Sequence, residues 1–252
     1  MPYAFLDHPG PIPFAHRGGA LEGLENTMPA FEAALALGYR YLETDARVTA
    51  DGVLVAFHDD DLGRTTDHSG TITELPWSEV QKARVGGKEP IPLMEDLLGA
   101  FPQARINLDA KSDGAVDPLI DVIRRTASID RVCVGAFSDK RIKQVRSALG
   151  PTLCTSMGPI EVARWTAASW LLGGRGTPSI PVAQAPVKQF GIPIVTARSV
   201  RAAERHGVQV HVWTIDEPAE IERLLDLGAH GIMTDRPLVL KEILQRRGQW
   251  HE

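Results

Sequence analysis

The sequence is poor in cysteine, in long apolar runs and in clustered positive charge, and each lack narrows what the chain can do. Its two cysteines, Cys133 and Cys154, both fall inside strand-like runs and read as buried thiols rather than a disulfide framework. No stretch reaches the ~20 apolar residues of a bilayer span, so stable membrane insertion is not expected. Residues 1–14 are broken by prolines and hold no long apolar run, so a secretory leader is not expected either and the expected location is cytoplasmic. Lys and Arg number 27 against 32 Asp and Glu, a formal net charge of −5, with no basic run. Nucleic acid is therefore not an expected partner. A small phosphorylated substrate stays open, because a few local cations would set the field around it. Nothing in the chain fixes an oligomeric state.

What is present is a regular alternation. At 252 residues, 43% of them hydrophobic, the chain matches the length of one (β/α)8 barrel. The patterning predicts strands at 12–16, 39–46, 105–109, 132–136, 152–156, 180–184, 209–213 and 231–234. Helices are expected from Thr27 to before Gly38 and at 115–127, 138–148, 159–172, 197–206, 217–227 and 238–247. With 53–57 as the return arm of a hairpin, this gives eight parallel strands, and a TIM barrel is favoured over a doubly wound sheet. Residues 1–252 are read as a single barrel domain with an insertion after the second strand, at about 50–90. Within it residues 59–90 are polar and irregular, with one short helix near residues 77–83, and are expected to lie over the barrel mouth and influence substrate choice without supplying metal ligands. The glycine-rich run 173–177 reads as a flexible loop.

The stretch from Leu42 to Asp59 organises the rest. Glu43 and Asp45 are two apart on a strand, so both carboxylates leave one face. Neither is cheap to bury unpaired, and a bound cation would resolve the conflict. If the chain reverses at Asp51-Gly52, His58 returns beside the two acids. A surface hairpin with a solvated acidic face fits the same stretch equally well. An internal echo also stands out: Leu35-x-Leu37-Gly38 followed by Thr44-Asp45 matches Leu225-x-Leu227-Gly228 followed by Thr234-Asp235.

In a barrel, functional side chains gather at the carboxyl ends of the strands. His16 and Arg17 follow the first strand, and Glu43 and Asp45 lie in the second. Asp109 and Lys111 follow the third, Gln184 the sixth, and Trp213 the seventh. Three carboxylates suit a hard divalent cation, Mg²⁺ or Ca²⁺. His16 and His58 can divide acid and base roles near neutral pH, while Arg17 and Lys111 complement a phosphoryl group. Asp235, just ahead of Pro237, is expected to serve the start of the last helix. The remaining histidines are expected to be structural or superficial.

The ordered set Ala15-His16-Arg17-Gly18-Gly19, Glu25-Asn26-Thr27, Glu43-Thr44-Asp45, Thr49-x-Asp51-Gly52, His58-Asp59 and Leu62-x-Arg64-Thr65-Thr66 resembles the glycerophosphodiester phosphodiesterase family. So do Asn107-Leu-Asp109-Ala-Lys111, Val212-Trp213-Thr214 and Thr234-Asp235-Arg236-Pro237. The resemblance spans nearly the whole chain. It implies a TIM barrel with a family insertion, and metal-dependent hydrolysis of glycerophosphodiesters to sn-glycerol 3-phosphate and an alcohol. By the same resemblance His16 and His58 are the acid/base pair, Glu43, Asp45 and Asp109 the metal ligands, Arg17 and Lys111 the phosphate-contacting cations, and Trp213 the wall against glycerol. The chain departs from the family pattern at Asp109, where glutamate is usual, and at Asp216, where asparagine is frequent. Two other readings stand beside this one: a lysophospholipase D-type enzyme using the same constellation, and a barrel that binds phosphodiesters or metal without turnover.

Overall fold

The computed structural model describes residues 3–21 and 23–251. Nine strands form the main sheet: β1 (Ile12–His16), β2 (Tyr41–Val48), β3 (Leu54–Ala56), β4 (Arg105–Ala110), β5 (Val132–Gly135), β6 (Cys154–Thr155), β7 (Val182–Ala185), β8 (Gln209–Val212) and β9 (Gly231–Thr234). All but β3 are parallel, in the order β6-β5-β4-β2-β1-β9-β8-β7. A parallel bridge from Ser156 to Val182 joins the two outer strands, so the sheet curls into a nearly closed barrel. Helices α1 (Met28–Ala36), α2 (Met94–Ala100), α3 (Val116–Arg125), α4 (Asp139–Leu149), α5 (Pro159–Leu171), α6 (Ala197–Glu204), α7 (Pro218–Asp226) and α8 (Pro237–Arg246) pack outside. The expected TIM barrel is the observed fold.

Local chemistry explains why the elements start and stop where they do. Thr27 caps α1 by accepting the Ala30 N–H, and Pro29 sits in the first turn, where its missing N–H costs nothing. Gly38 follows at φ 92°, a left-handed C-cap that a side chain would strain. Side chains alternate along each strand. Leu42, Ala46, Leu108 and Val134 therefore face outward into the layer shared with α1 to α3. Phe14, Tyr41, Cys133, Cys154, Val182 and Met233 fill the interior, where both cysteines are free and buried. A short 3-10 turn, Ala4–Leu6, plugs the amino end of the barrel: Phe5 meets the Tyr41 ring edge-on at 5.4 Å, and the Tyr41 hydroxyl donates to the Phe5 carbonyl at 2.8 Å.

Three elements differ from the sequence expectation. Helix α2 was not anticipated. It has seven residues and no side-chain N-cap, too short a run to display a helical period, and it is held by buried Met94, Leu97 and Leu98. Strand β6 is only two residues long rather than five. A small hairpin pairs Lys188–Gln189 with Ile192–Pro193, between β7 and α6, where no structure was expected. In the inserted region the short helix spans Trp77–Val80, and Phe57, Leu62, Ile72, Val80, Val85 and Ile91 form a cluster of their own.

Candidate active site

The same alternation that buries Phe14 and Tyr41 at the barrel centre brings the polar residues two and four positions on to its carboxyl mouth. There His16, Arg17, Glu43, Asp45, His58, Asp109, Lys111, Gln184 and Trp213 all line one cavity of about 700 Å³. Every residue singled out from the sequence is thus in one place. Asn107 lines it too, and its Oδ1 accepts from Gln184 Nε2 at 2.7 Å. Gly135 is the glycine that makes room: a Cβ there would stand 3.1 Å from Ser156 Oγ and 3.2 Å from Gln184 Oε1.

The turn after β1 is built from residues that tolerate left-handed backbone. Gly18 and Gly19 have φ of 81° and 103°, and a Cβ on either would approach Ala30 or Pro237 to under 3.0 Å. Arg17, itself at φ 52°, gives its backbone N–H to Glu43 Oε2 at 3.2 Å. Its guanidinium reaches Glu25 at 3.2 Å and lies 3.3 Å from Asp45 Oδ2. Asn26 donates to Asp45 Oδ2 at 3.0 Å and accepts from the Thr44 hydroxyl at 2.8 Å, so the Glu-Asn-Thr motif fixes the second carboxylate.

Both histidines have a carboxylate behind them. His16 Nδ1 donates to Asp235 Oδ1 at 2.6 Å, and its Nε2 lies 3.6 Å from Glu43 Oε2. His58 Nδ1 donates to Asp59 Oδ1 at 2.6 Å. Since an ionised carboxylate only accepts, each ring carries its proton on Nδ1 and leaves Nε2 free for chemistry. Burial would lower the His16 pKa, but Glu43 and Asp235 outweigh it and the net shift is upward. At His58 burial wins over Asp45 and Asp59, and the shift is downward. The rings are displaced in opposite directions. Asp235 was expected to serve the last helix; instead its carboxylate orients His16. Its own backbone N–H is fixed by Asp216 Oδ1 at 2.7 Å.

Glu43 and Asp45 are 4% and 1% exposed, deep enough that an unpaired charge would be costly. Burial, reinforced by Asp45, pushes Glu43 well above the usual carboxylate range against His16, Lys111 and Arg17. Burial also opposes ionisation of Asp45, yet Lys111 and Arg17 hold it below its ordinary value. The Lys111 ammonium bridges Asp45 Oδ1 at 2.9 Å and Asp109 Oδ2 at 2.7 Å. Asp109 Oδ1 is buried without a hydrogen-bond partner. An all-oxygen donor set, a carboxylate displaced toward its neutral form and an orphaned carboxylate oxygen fit a hard divalent cation. Among the described residues, however, no three His, Cys, Asp or Glu side chains are gathered closely enough to hold one. Lys111 stands between two of the three acids.

One expectation about the surroundings is corrected. None of residues 59–90 lines the cavity, whose outer wall is made instead by α5 and the hairpin around Phe190. The inserted region acts from behind: Arg64 donates to Glu25 Oε1 at 2.6 Å and to Asp59, tying the His58 support to the Arg17 support. Its polar stretch packs on its own apolar cluster rather than across the mouth. No helix among the described residues is long and apolar enough to cross a membrane.

Residues 16–239 match the model of the glycerophosphoryl diester phosphodiesterase family. The chain is 39% identical, over 98% of its length and 95% of the relative's, to the probable glycerophosphodiester phosphodiesterase 2 of Mycobacterium tuberculosis. It is 31% identical to mouse lysophospholipase D GDPD1, over 91% of this chain and 85% of that one. Among solved structures, an Oleispira antarctica phosphodiesterase in complex with sn-glycerol-3-phosphate superposes with a TM-score of 0.79 at 21% identity, covering 94% of this chain and 97% of that one, which bears on fold alone. The chain belongs to the glycerophosphoryl diester phosphodiesterase family. It is an enzyme of the phosphoric diester hydrolase class.

Proposed function

We propose that this enzyme hydrolyses glycerophosphodiesters to sn-glycerol 3-phosphate and an alcohol, with a divalent cation, Mg²⁺ or Ca²⁺, that Glu43, Asp45 and Asp109 would draw together to hold once Lys111 turns from the two aspartates to the phosphoryl group. The observation that carries the reading is the convergence of two carboxylate-backed histidines, two cations and three carboxylates in one cavity at the carboxyl end of the barrel. The bound cation would neutralise charge developing on the phosphoryl oxygens. Arg17 and Lys111 face the same charge, the arginine pre-aimed by Glu25 and the lysine by Asp45 and Asp109. His16 and His58 handle protons through Nε2: one accepts from the attacking hydroxyl, the other donates to the leaving alkoxide. Trp213 gives the glycerol an apolar wall, and Gln184, oriented by Asn107, offers a hydrogen bond to the substrate. A binding-only barrel would have no use for two imidazoles each aligned by an acid.

The test is turnover of glycerophosphocholine, glycerophosphoethanolamine and glycerophosphoglycerol by purified protein, with and without EDTA. Release of sn-glycerol 3-phosphate that EDTA abolishes and Mg²⁺ or Ca²⁺ restores supports the reading. Binding without product under either metal refutes it.

A further inference from the structure

A helix on a protein surface ordinarily turns an apolar stripe inward and a polar face to water. Helix α4 does so, exposing Lys140, Lys143, Gln144 and Ser147. Helix α5 does not. From Ile160 on, its exposed positions are Ile160, Ala163, Arg164, Ala167, Trp170 and Leu171, one charge among five apolar side chains, while the hydroxyls of Thr166 and Ser169 are turned inward. Leu172 extends the run past the helix end, and Phe190 and Ile192 stand on the 188–193 hairpin, which shares the cavity mouth with Trp170. Six of the nine large apolar side chains exposed among the described residues fall between Ile160 and Ile192, with Phe190 94% exposed and Leu171 81%. Exposed hydrophobics scattered singly are ordinary; six on two neighbouring elements mark an interaction surface.

Charge singles out the same stretch. Residues 162–203 hold Arg164, Arg175, Lys188, Arg198 and Arg201 and not one acid, in a chain with 32 Asp and Glu and a net charge of −5. All five cations are exposed. The acids at the two borders are turned elsewhere: Glu161 is held by Arg146 at 2.8 Å, and Glu204 lies toward His230. The cations also sit beside the apolar residues. Arg198 donates to the Trp170 carbonyl at 3.2 Å, the Arg175 backbone N–H reaches the Leu172 carbonyl at 3.1 Å, and Lys188 precedes Phe190 by two positions. Whatever covers this face must be both apolar and anionic. A second copy docked across a twofold axis would set the cations against their own duplicates. An anionic bilayer matches both properties: its headgroups carry the countercharge, and apolar side chains standing out from the surface enter the acyl boundary without a shaped pocket to receive them. We propose that α5, the 173–177 loop and the 188–193 hairpin dock this enzyme peripherally on an anionic phospholipid bilayer. With 13 residues α5 lies along the interface and spans nothing. The inference stands independently of the reaction proposed above, and its test needs no turnover.

The purified full chain is co-sedimented with vesicles of phosphatidylcholine alone and of phosphatidylcholine and phosphatidylglycerol in equal parts. Binding is expected to the second and not the first, and should weaken as added salt screens the charges. Arg175→Glu/Lys188→Glu should lower the partition coefficient at least about 25-fold, at about fivefold for each cation lost from an anionic surface. Leu171→Ser/Phe190→Ser, which leaves the charge unchanged, should lower it at least about tenfold through lost apolar burial. Lys88→Glu/Lys143→Glu makes the same charge change at exposed positions of the insertion and of α4, and should cost far less than the first pair. Bromine-labelled acyl chains should quench part of the tryptophan emission, and Trp170→Phe should abolish that part. All the substituted positions are exposed, and thermal unfolding checks that each variant is folded. Failure to bind anionic vesicles, or an equal loss in the Lys88/Lys143 control, would overturn the proposal. Binding that the serine pair leaves intact would mark a site for polyanions, acidic proteins included, and overturn the bilayer as its occupant. A dimer in light scattering that the serine pair dissociates would seat a second copy there instead.

Discussion

Lys111→Met is the sharpest perturbation of this site, because the ammonium is the countercharge of two buried acids. Its Nζ sits 2.9 Å from Asp45 Oδ1 and 2.7 Å from Asp109 Oδ2, with side-chain exposures of 14%, 1% and 12% for the three groups. At an effective dielectric constant of ~20, each pair at such a distance is worth roughly 6 kcal/mol before desolvation. Most of that is offset by the cost of taking the charges out of water, and breaking such a pair from one side costs about 3–5 kcal/mol net. For a chain of this size that is a fall in Tm of roughly 6–20 °C. Methionine keeps the apolar stem against Phe137, whose ring lies 5.7 Å from Nζ, so the loss reports charge rather than packing. The assay is thermal unfolding of both proteins in EDTA and in millimolar Mg²⁺ or Ca²⁺. If Glu43, Asp45 and Asp109 hold a dication, it replaces the missing charge, and metal raises the Tm of the variant more than that of the native protein. A loss under about 1 kcal/mol would show that the bridge contributes no more than a surface pair. Equal metal responses would show that the cation binds elsewhere.

His16→Ala and His58→Ala should each lower kcat by roughly 10²-fold or more, the scale of general acid–base groups, with substrate binding largely kept in calorimetry; near-native turnover would remove that ring from the mechanism. Asp235→Asn should lower kcat about tenfold to a hundredfold with little change in KM, and shift downward the limb of the pH–rate profile that reports His16, because the carboxylate that raises His16 is gone; a changed rate with an unmoved profile would mean a purely structural role. Asp109→Asn should raise the metal concentration needed for half-saturation moderately, while Glu43→Gln or Asp45→Asn nearly abolishes binding by calorimetry, since Lys111 already engages Asp109; equal damage in all three would make Asp109 a full ligand. His211 is fully buried, and burial holds its pKa down at about 3 against an ordinary 6.5. Below pH 6.5 the unfolded chain takes up a proton that the folded chain refuses, so stability falls with falling pH, by about 2 kcal/mol between pH 6.5 and 5; denaturant midpoints of His211→Gln should show a flatter slope over that window, and parallel slopes would refute the linkage.

The barrel was legible in the sequence because its strands are bounded by turn residues and its helices by caps that act locally, Thr27 and Gly38 among them. The site was legible because barrel chemistry collects at strand ends, and the polar residues there are few. What escaped was set by distance along the chain or by shortness. The partner of His16 is 219 residues away, and nothing in the sequence around Asp235 distinguishes a helix-start aspartate from a histidine's anchor. Asn107 carried the signal that would have found it, since it shares a strand face with Asp109. The cavity wall escaped for another reason. A hairpin with two residues in each arm, Lys188–Gln189 and Ile192–Pro193, shows no alternation to read. The long polar insertion, by contrast, looked like a cover by its composition, while its buried Phe57, Leu62 and Ile72 were already committed to a core of its own.

The Thr-Asp echo turns out to be a shared structural device with two different products. Strand β1 lies between β2 and β9, and Ala15 is in register with Leu42 on one side and Thr234 on the other, so the two repeats flank His16. In each, the threonine hydroxyl donates to the side chain of a loop residue, Thr44 to Asn26 at 2.8 Å and Thr234 to Asp216 at 2.9 Å. That loop residue then grips the aspartate: Asn26 through its amide to Asp45, Asp216 by accepting the Asp235 backbone N–H. The difference lies in which atoms remain free. Asn26 must be an amide, because it accepts from one partner and donates to the other. Asp216 only accepts, and both contacts fall on one oxygen, which asparagine would supply equally well. This is why aspartate can stand at 216 where the family pattern favours asparagine without disturbing Asp235, whereas an aspartate at 26 would set a second carboxylate against the nearly inaccessible Asp45.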